Sequence, residues 1–264
     1  MRQILLVLLI LLAPPVLACE GLTECTLAEG PAAGRTYHVV PPEGWDGATP
    51  LPVQLHFHGW ARQGEVPVQS PRTGGAARAA GVLFVAPDGL GRTWRFRNPG
   101  SRDTAFAAAV LADVAARYPL DGRLVVSGYS WGGLMAARFA CESGLRIDAL
   151  LLIAGAFPPG TDCAATPPPL RVSHVHGTTD TVLDFPYGPD GSDTYAVALW
   201  RDRMGCAAAA DRTFDWQAVS WLTHRRHEWD CAAGLVTMDV HTASHLIPRG
   251  WVARHLDELL ATGG

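Results

Sequence analysis

Short apolar runs separated by helix-length amphipathic stretches repeat along the whole chain. Segments with helical spacing and helix start or stop signals lie between the runs. Strands that alternate with helices at this spacing predict an α/β fold, a doubly wound, mostly parallel sheet with helices on both faces. The clearest predicted strands, rich in Val, Leu and Ile, are Leu51–His58, Val82–Ala86, Leu124–Val126, Asp148–Ile153 and Leu235–His241.

The remaining predicted elements complete this alternation. Further strands are predicted at Arg35–Val40 and Leu170–His176, with a strand or hairpin at Phe214–Trp221. No internal repeat or long linker divides the chain, so one domain is expected. The predicted helices are Gly74–Ala80, Arg102–Tyr118, Leu134–Phe139, Asp193–Met204 and Arg249–Leu260.

The first 18 residues have the pattern of a secretory signal peptide. Arg2 supplies the positive end, Ile4–Leu12 is the apolar run, and Val16 and Ala18 fit a small-residue cleavage site. The segment is too short and wrongly flanked for a membrane span. We therefore expect a secreted or periplasmic protein whose mature domain covers residues 19–264. Because Cys19 follows the cut, a lipoprotein anchored at Cys19 is the alternative.

Six cysteines lie in the predicted mature chain. An even number in an exported protein indicates three disulfides, although six cysteines allow 15 pairings and free buried thiols are the alternative. A lipidated Cys19 would leave an odd cysteine. Order along the chain favours the neighbouring pairs Cys19–Cys25, Cys141–Cys163 and Cys206–Cys231.

Charge and composition narrow the function classes. The formal net charge is −4 and no basic run is long, so a nucleic-acid partner is not expected. His224-Arg-Arg-His227-Glu228 is not a His-Glu-x-x-His metal motif and is predicted to be a solvated turn. His56 and His58 could share one strand face as metal ligands, but neither a metal nor a cofactor is predicted.

The stretch around Ser130 carries the strongest chemical signal. Gly128-Tyr-Ser130-Trp-Gly132 matches G-x-S-x-G between a buried strand and an apolar helix. In a nucleophile elbow this sharp turn exposes the serine Oγ, and the glycines remove Cβ atoms where the backbone is crowded. The helix amino terminus favours the negative charge that develops during acyl transfer. A chance match to the short motif is the alternative.

An acid and a histidine should follow the nucleophile in that order. Asp180 lies four residues beyond the predicted strand that ends at His176, with Asp184 as its rival. His245 lies on the loop before the last helix and is preferred to His241, which is nearer the strand end. Asp180 would orient the imidazole, and His245 would act as general base.

Two backbone N–H groups could hold the oxyanion of an acyl-transfer intermediate. One is expected from Trp131, directly after the nucleophile, and the other from Trp60, after His58-Gly59. Trp94, together with these two, is predicted to line the mouth of the site, where aromatic walls could bind substrate.

Taken together, these stretches resemble the secreted polyhydroxybutyrate depolymerase-like and feruloyl esterase-like family of α/β-hydrolases. The resemblance rests on His58-Gly59, Pro87-Asp-Gly, Gly128-Tyr-Ser-Trp-Gly-Gly-Leu-Met, His176-Gly-Thr-Thr-Asp180 and His245-Leu-Ile-Pro-Arg-Gly-Trp, among others, across nearly the whole mature chain. It implies an α/β-hydrolase catalytic domain with Ser130, Asp180 and His245 as its triad. Phe57 before His58-Gly59 and the Thr-Val-Leu-Asp sequence after Asp180 depart from the family pattern.

The leading functional hypothesis is a serine esterase that forms an acyl-enzyme on Ser130. The resemblance implies a carboxylic ester substrate, which could be small, oligomeric or polymeric, and polyhydroxybutyrate is one candidate. Feruloyl or acetylxylan esterase activity is the alternative within this class. A peptidase and a non-catalytic binding protein on a hydrolase scaffold are further hypotheses, because a fold does not fix a function.

Overall fold

One ten-stranded sheet runs through residues 19–163 and 167–261, the part of the chain that the computed structural model describes. Its strands are β1 (Cys25–Thr26), β2 (Thr36–Val40), β3 (Leu51–Phe57), β4 (Leu83–Pro87), β5 (Leu120–Tyr129), β6 (Ala149–Ile153), β7 (Arg171–Gly177), β8 (Arg212–Val219), β9 (Leu222–Cys231) and β10 (Gly234–His241). Their order in the sheet is β1-β2-β4-β3-β5-β6-β7-β10-β9-β8. The six strands from β4 to β10 run parallel, whereas β1, β2, β9 and β8 pair antiparallel at the two edges.

Helices cover both faces of this sheet, as the sequence predicts. They are α1 (Glu65–Gln69), α2 (Gly74–Ala79), α3 (Arg102–Arg117), α4 (Trp131–Glu142), α5 (Ala198–Met204) and α6 (Trp251–Ala261). Helices α3, α4 and α5 pack on one face, and α2 and α6 pack on the other. The central strand β5 serves both cores, because Leu124 and Val126 point to the first face and Val125 to the second.

Several element boundaries differ from the sequence prediction. The helix expected from Asp193 begins at Ala198, after a single 3-10 turn at Tyr195–Val197. Helix α6 begins at Trp251 because Gly250 has a left-handed φ of 78°, which no α-helix accommodates. The short elements β1 and α1 were not predicted, since two and five residues are too few to show a period. The predicted signal peptide, Met1–Ala18, lies outside the described residues.

The segment His224–Glu228 is the main correction to the sequence analysis. It was predicted to be a solvated turn, but it forms the middle of β9, between β8 and β10. Buried and exposed side chains alternate along it, so that Arg226 is buried and Arg225 is exposed. The prediction was wrong because arginine and histidine look like solvent-facing residues until a buried partner is identified.

That partner is Asp239 of β10. The Arg226 guanidinium donates two hydrogen bonds to the Asp239 carboxylate, at 2.9 and 2.8 Å. The indole N–H groups of Trp216 and Trp251 each donate to Asp239 at 2.7 Å. Burial alone would raise the pKa of Asp239, but its hydrogen bonds and the Arg226 charge outweigh burial and hold that pKa well below its usual value. The pair therefore stays ionised inside the domain.

Three disulfides join cysteines that are neighbours in sequence: Cys19–Cys25, Cys141–Cys163 and Cys206–Cys231. The second ties the end of α4 to the loop after β6, and the third ties the end of α5 to the end of β9. Among the described residues, no helix is long and apolar enough to cross a membrane.

Candidate active site

Ser130 lies at the carboxyl end of β5, in the turn that enters α4. Its φ of 58° and ψ of −122° are strained for a residue with a Cβ atom. A Cβ atom on Gly128 would lie 2.0 Å from the Gly132 carbonyl oxygen, and one on Gly132 would lie 2.0 Å from the Phe57 carbonyl oxygen. Both glycines of the motif are therefore required by close backbone packing, as the elbow interpretation expects.

The predicted acid and base lie together at the same sheet edge. His245 Nδ1 is 2.6 Å from Asp180 Oδ2. An ionised carboxylate can only accept, so Nδ1 carries the proton and Nε2 presents a lone pair. Burial would raise the pKa of Asp180, but hydrogen bonds from His245 and from the N–H groups of Val182 and Leu183 outweigh it and lower that pKa. Asp180 thus remains an anion that can orient His245.

Close contact between two loops holds this pair. A Cβ atom on Gly177 would lie 1.9 Å from the Ala243 carbonyl oxygen, so glycine lets the loop after β7 meet the loop after β10. The Thr178 N–H donates to the His241 carbonyl oxygen at 2.8 Å. The Tyr129 hydroxyl donates to the His245 carbonyl oxygen at 3.1 Å, and the Tyr129 ring packs 4.9 Å from the imidazole. The residue before Ser130 thus helps to position His245.

A second histidine contacts the same carboxylate. His176 Nε2 is 3.1 Å from Asp180 Oδ2 and 2.9 Å from the Leu183 carbonyl oxygen, so this nitrogen acts as a donor. His176 Nδ1 lies 3.2 Å from His174 Nε2. In the sequence, His176 marks the end of a predicted strand and belongs to a stretch that carries the family resemblance, but its contact with Asp180 was not predicted.

The two tryptophans predicted to supply an oxyanion hole lie beside each other. Their ring centroids are 6.2 Å apart, and the Trp131 ring also packs edge-on against Phe96. Trp131 is the first residue of α4, where N–H groups have no intrahelical acceptor. Within residues 19–163 and 167–261, the Trp60 N–H donates to no protein acceptor. Both N–H groups are therefore available to an oxyanion.

Trp94 is almost fully buried behind the loop that carries Trp60. Its side chain is only 3% exposed, and its indole N–H donates to the His58 carbonyl oxygen at 2.8 Å. It packs edge-on against Phe57, with ring centroids 5.2 Å apart. Through these contacts, Trp94 supports the loop that carries Trp60. Its ring also borders the cleft lined by Arg95 and Arg97, and its part in substrate binding stays a prediction.

The rival residues occupy different surroundings. Asp184 is exposed, and no shared hydrogen bond joins it to His245 in the described chain. His241 is buried, and its Nδ1 accepts a hydrogen bond from the Ala243 N–H at 3.2 Å. His56 Nδ1 lies 2.8 Å from Ser127 Oγ, and His58 Nε2 accepts from the Gly89 N–H. These histidines are engaged in packing and hydrogen bonds.

Buried histidines around the sheet edge predict acid sensitivity of the fold. Burial lowers the pKa of His241 to about 4 and that of His56 to about 3. In the unfolded chain both would protonate near pH 6.5, so unfolding takes up protons as the pH falls from 6.5 towards 4. Over this pH range, His241 and His56 should each lower the free energy of unfolding by on the order of 3 kcal/mol.

Urea unfolding between pH 7.5 and 4.5 tests this expectation. The unfolding free energy should begin to fall near pH 6.5, above the range in which carboxylates titrate. Replacing His241 by phenylalanine should make the unfolding free energy depend less steeply on pH. A flat profile down to pH 5 would contradict the assignment of neutral, buried imidazoles.

Comparison with known proteins adds to this geometry. No protein-family model matches the sequence. Feruloyl esterase C of Emericella nidulans is 32% identical over 61% of this chain and 61% of its own length. A probable feruloyl esterase C of Aspergillus clavatus is 30% identical over 64% of this chain and 69% of its own length. The chain belongs to the feruloyl esterase family. Within it, the chain spans 61% to 64% of the length of the first two curated relatives that it matches.

Solved structures show the same fold. An acetyl xylan esterase from Aspergillus awamori superposes with a TM-score of 0.68, covering 89% of this chain and 97% of that one. Its sequence identity of 13% carries the architecture only. This chain therefore has an α/β-hydrolase fold, as its resemblance to that family in sequence implies.

Proposed function

We propose that this protein is a secreted serine esterase that hydrolyses carboxylic esters through an acyl-enzyme on Ser130. One observation carries the proposal. The strained Ser130 turn and the 2.6 Å contact between His245 and Asp180 belong to the same sheet edge, in the order Ser, Asp, His. The named feruloyl esterases among its relatives support ester chemistry. The three disulfides support an oxidising compartment, in keeping with residues 1–18 as a signal peptide and residues 19–264 as one catalytic domain.

The chemistry follows from the protonation states. His245 Nε2 accepts the Ser130 hydroxyl proton while Oγ bonds to the ester carbonyl carbon, and Asp180 stabilises the imidazolium. The carbonyl electron pair moves to oxygen, where the N–H groups of Trp60 and Trp131 can bind it. When this tetrahedral intermediate collapses, the bond between the carbonyl carbon and the alcohol oxygen breaks, and the alcohol oxygen takes the proton from His245. Water then repeats the sequence and releases the carboxylic acid and free Ser130.

Paired substitutions separate the proposed acid and base from their rivals. Asp180→Asn should lower kcat by about 10⁴-fold, because the wrong imidazole tautomer would then face Ser130. His245→Asn should have an effect of similar size. The controls Asp184→Asn and His241→Asn should keep kcat within about threefold. Thermal melting must accompany each assay, since His241 is buried. Greater damage from either control at unchanged stability would contradict the assignment.

A substrate panel tests the function itself. We expect hydrolysis of p-nitrophenyl acetate and of at least one of methyl ferulate, acetylated xylan and hydroxybutyrate oligomers. A peptide anilide should not be cleaved. Failure on every ester by a folded protein with intact disulfides would favour a binding protein on a hydrolase scaffold.

A further inference from the structure

Four arginines project from the loops that follow β3 and β4. Arg62 follows β3, and Arg92, Arg95 and Arg97 follow β4. All four side chains are exposed, and none of them forms an ion pair with an acid of residues 19–163 or 167–261. Most other arginines of this chain pair with a carboxylate, including the exposed Arg212 and Arg225. The four loop arginines, which we term the arginine rim, thus keep their charge for another partner.

The acids that lie near the rim in sequence are few, and two of them are buried and already paired. The sequence from residue 89 to residue 102 contains no acid. Asp88 is buried and accepts hydrogen bonds from the Thr36 hydroxyl and the Gly64 N–H, each at 2.7 Å. Asp103 is buried and pairs with Arg35 at 2.7 Å. Glu65, whose side chain is partly exposed, is the only acid between residues 58 and 73.

The rim lies beside the proposed nucleophile. The Arg97 guanidinium carbon is 5.9 Å from the ring centroid of Trp131, the residue after Ser130. Strands β4 and β3 lie on one side of β5 in the sheet, whereas β7 and β10 lie on the other. Arg97 therefore borders the side of the site that carries Trp60, and the charge of Arg62 reaches Tyr129, the residue before Ser130. Arg95 and Arg97 also line a cleft of about 530 Å³ in the loop that follows β4.

A backbone contact joins the two loops that carry the rim. Ala61 and Arg92 adopt left-handed φ angles of 58° and 61°, which are uncommon for residues other than glycine. The Ala61 N–H donates to the Arg92 carbonyl oxygen at 2.8 Å, so the two strained loops hold each other. Strain of this kind persists where surrounding contacts enforce it, and it concentrates at ligand-binding sites.

The chemistry of the rim indicates its ligand. A guanidinium group binds a carboxylate through two parallel hydrogen bonds and keeps its charge at any physiological pH. Trp60, with 64% of its surface exposed, offers a flat face for a sugar or another ring next to these charges. Several cations in neighbouring loops match anions repeated along a polymer better than a single small anion.

We propose that the arginine rim binds the carboxylates of an anionic, uronic-acid-type polysaccharide and delivers the ester groups on that polymer to Ser130. The proposal rests on the proposed esterase function and adds the substrate class. Each bound carboxylate would hold the chain in register while one esterified position reaches the oxyanion N–H groups. The attraction should weaken with salt, because the guanidinium groups are exposed to solvent.

Two acetylated polymers with the same acetyl content test the proposal. Acetate release is measured on acetylated polygalacturonate and on acetylated, uncharged xylan, at 20 and 300 mM NaCl. The wild-type protein should favour the anionic polymer in kcat/KM at low salt. The variant Arg92→Gln/Arg95→Gln/Arg97→Gln should lose about tenfold of that preference, mainly through KM, and salt should erase the remainder.

A matched control removes the same charge elsewhere. Arg146→Gln/Arg212→Gln/Arg225→Gln changes three side chains that are 70%, 57% and 60% exposed, none of them in the rim. This control should keep the wild-type preference. An equal loss in both triple variants, or no wild-type preference, would overturn the proposal. The proposal would also be overturned if the rim variant kept the wild-type preference for the anionic polymer but lost binding to phosphatidylglycerol vesicles. Inactivity on both polymers and on p-nitrophenyl acetate would instead refute the esterase function.

Discussion

Replacing Ser130 by alanine is expected to lower kcat for ester hydrolysis by about 10⁴-fold or more, with little change in stability. The substitution removes the proposed nucleophilic oxygen and leaves the proposed oxyanion N–H groups of Trp60 and Trp131 in place. The control Ser220→Ala changes an exposed serine in the turn between β8 and β9 and should leave kcat unchanged. Near-normal turnover by a folded Ser130→Ala variant would remove Ser130 from the mechanism.

The same position offers a second, independent readout. Because Ser130 has a φ of 58° and a ψ of −122°, glycine there should relieve backbone strain. Ser130→Gly should therefore be inactive and yet more stable than wild type by about 1 kcal/mol, as measured by urea unfolding. A destabilised glycine variant would argue against a strained elbow.

The largest effect on stability is expected at Arg226. Replacing it by methionine leaves the Asp239 carboxylate buried without its cation, at a cost of about 3–5 kcal/mol of unfolding free energy. Its neighbour Arg225 is the matched control, because it lies on the opposite face of β9 and its side chain is 60% exposed. Arg225→Met should cost less than about 1 kcal/mol. Urea unfolding of both variants gives the comparison.

A double variant keeps this prediction testable if Arg226→Met does not fold. Removing both charges, as in Arg226→Met/Asp239→Leu, should recover much of the lost stability, since an apolar pair avoids the uncompensated buried charge. The indoles of Trp216 and Trp251 would then lose their acceptor, so recovery should stay incomplete. Equal stability of the Arg225→Met and Arg226→Met variants would contradict the buried ion pair.

Much of the fold follows from local signals in the sequence. The β-branched runs predict buried strands, and the spacing of the Gly-x-Ser-x-Gly motif predicts a sharp turn between a strand and a helix. Strand β9 was missed because its buried positions carry His224 and Arg226, whose partner Asp239 belongs to another strand. Burial of a charge depends on a tertiary contact, and no pattern within the segment records it.

In the candidate site, too, some features have a local signal in the sequence and others depend on tertiary contacts. Asp180 and His245 could be chosen by loop position, because parallel strands end at one edge of a sheet. The support from Tyr129 and His176 depends on contacts between loops, and so does the burial of Trp94. In the sequence, the arginine rim is visible only as four arginines in the segments that follow two strands. Their lack of acidic partners is a property of the folded chain.

Covalent labelling with a fluorophosphonate tests the central claim, that Ser130 is an activated nucleophile, most directly. Intact-protein mass spectrometry should show one adduct per chain, and peptide mapping should place it on Ser130. The Ser130→Ala variant should remain unlabelled, and His245→Asn should label far more slowly, because it lacks the base that activates the hydroxyl. An adduct on another residue, or equal labelling of the Ser130→Ala variant, would contradict the account.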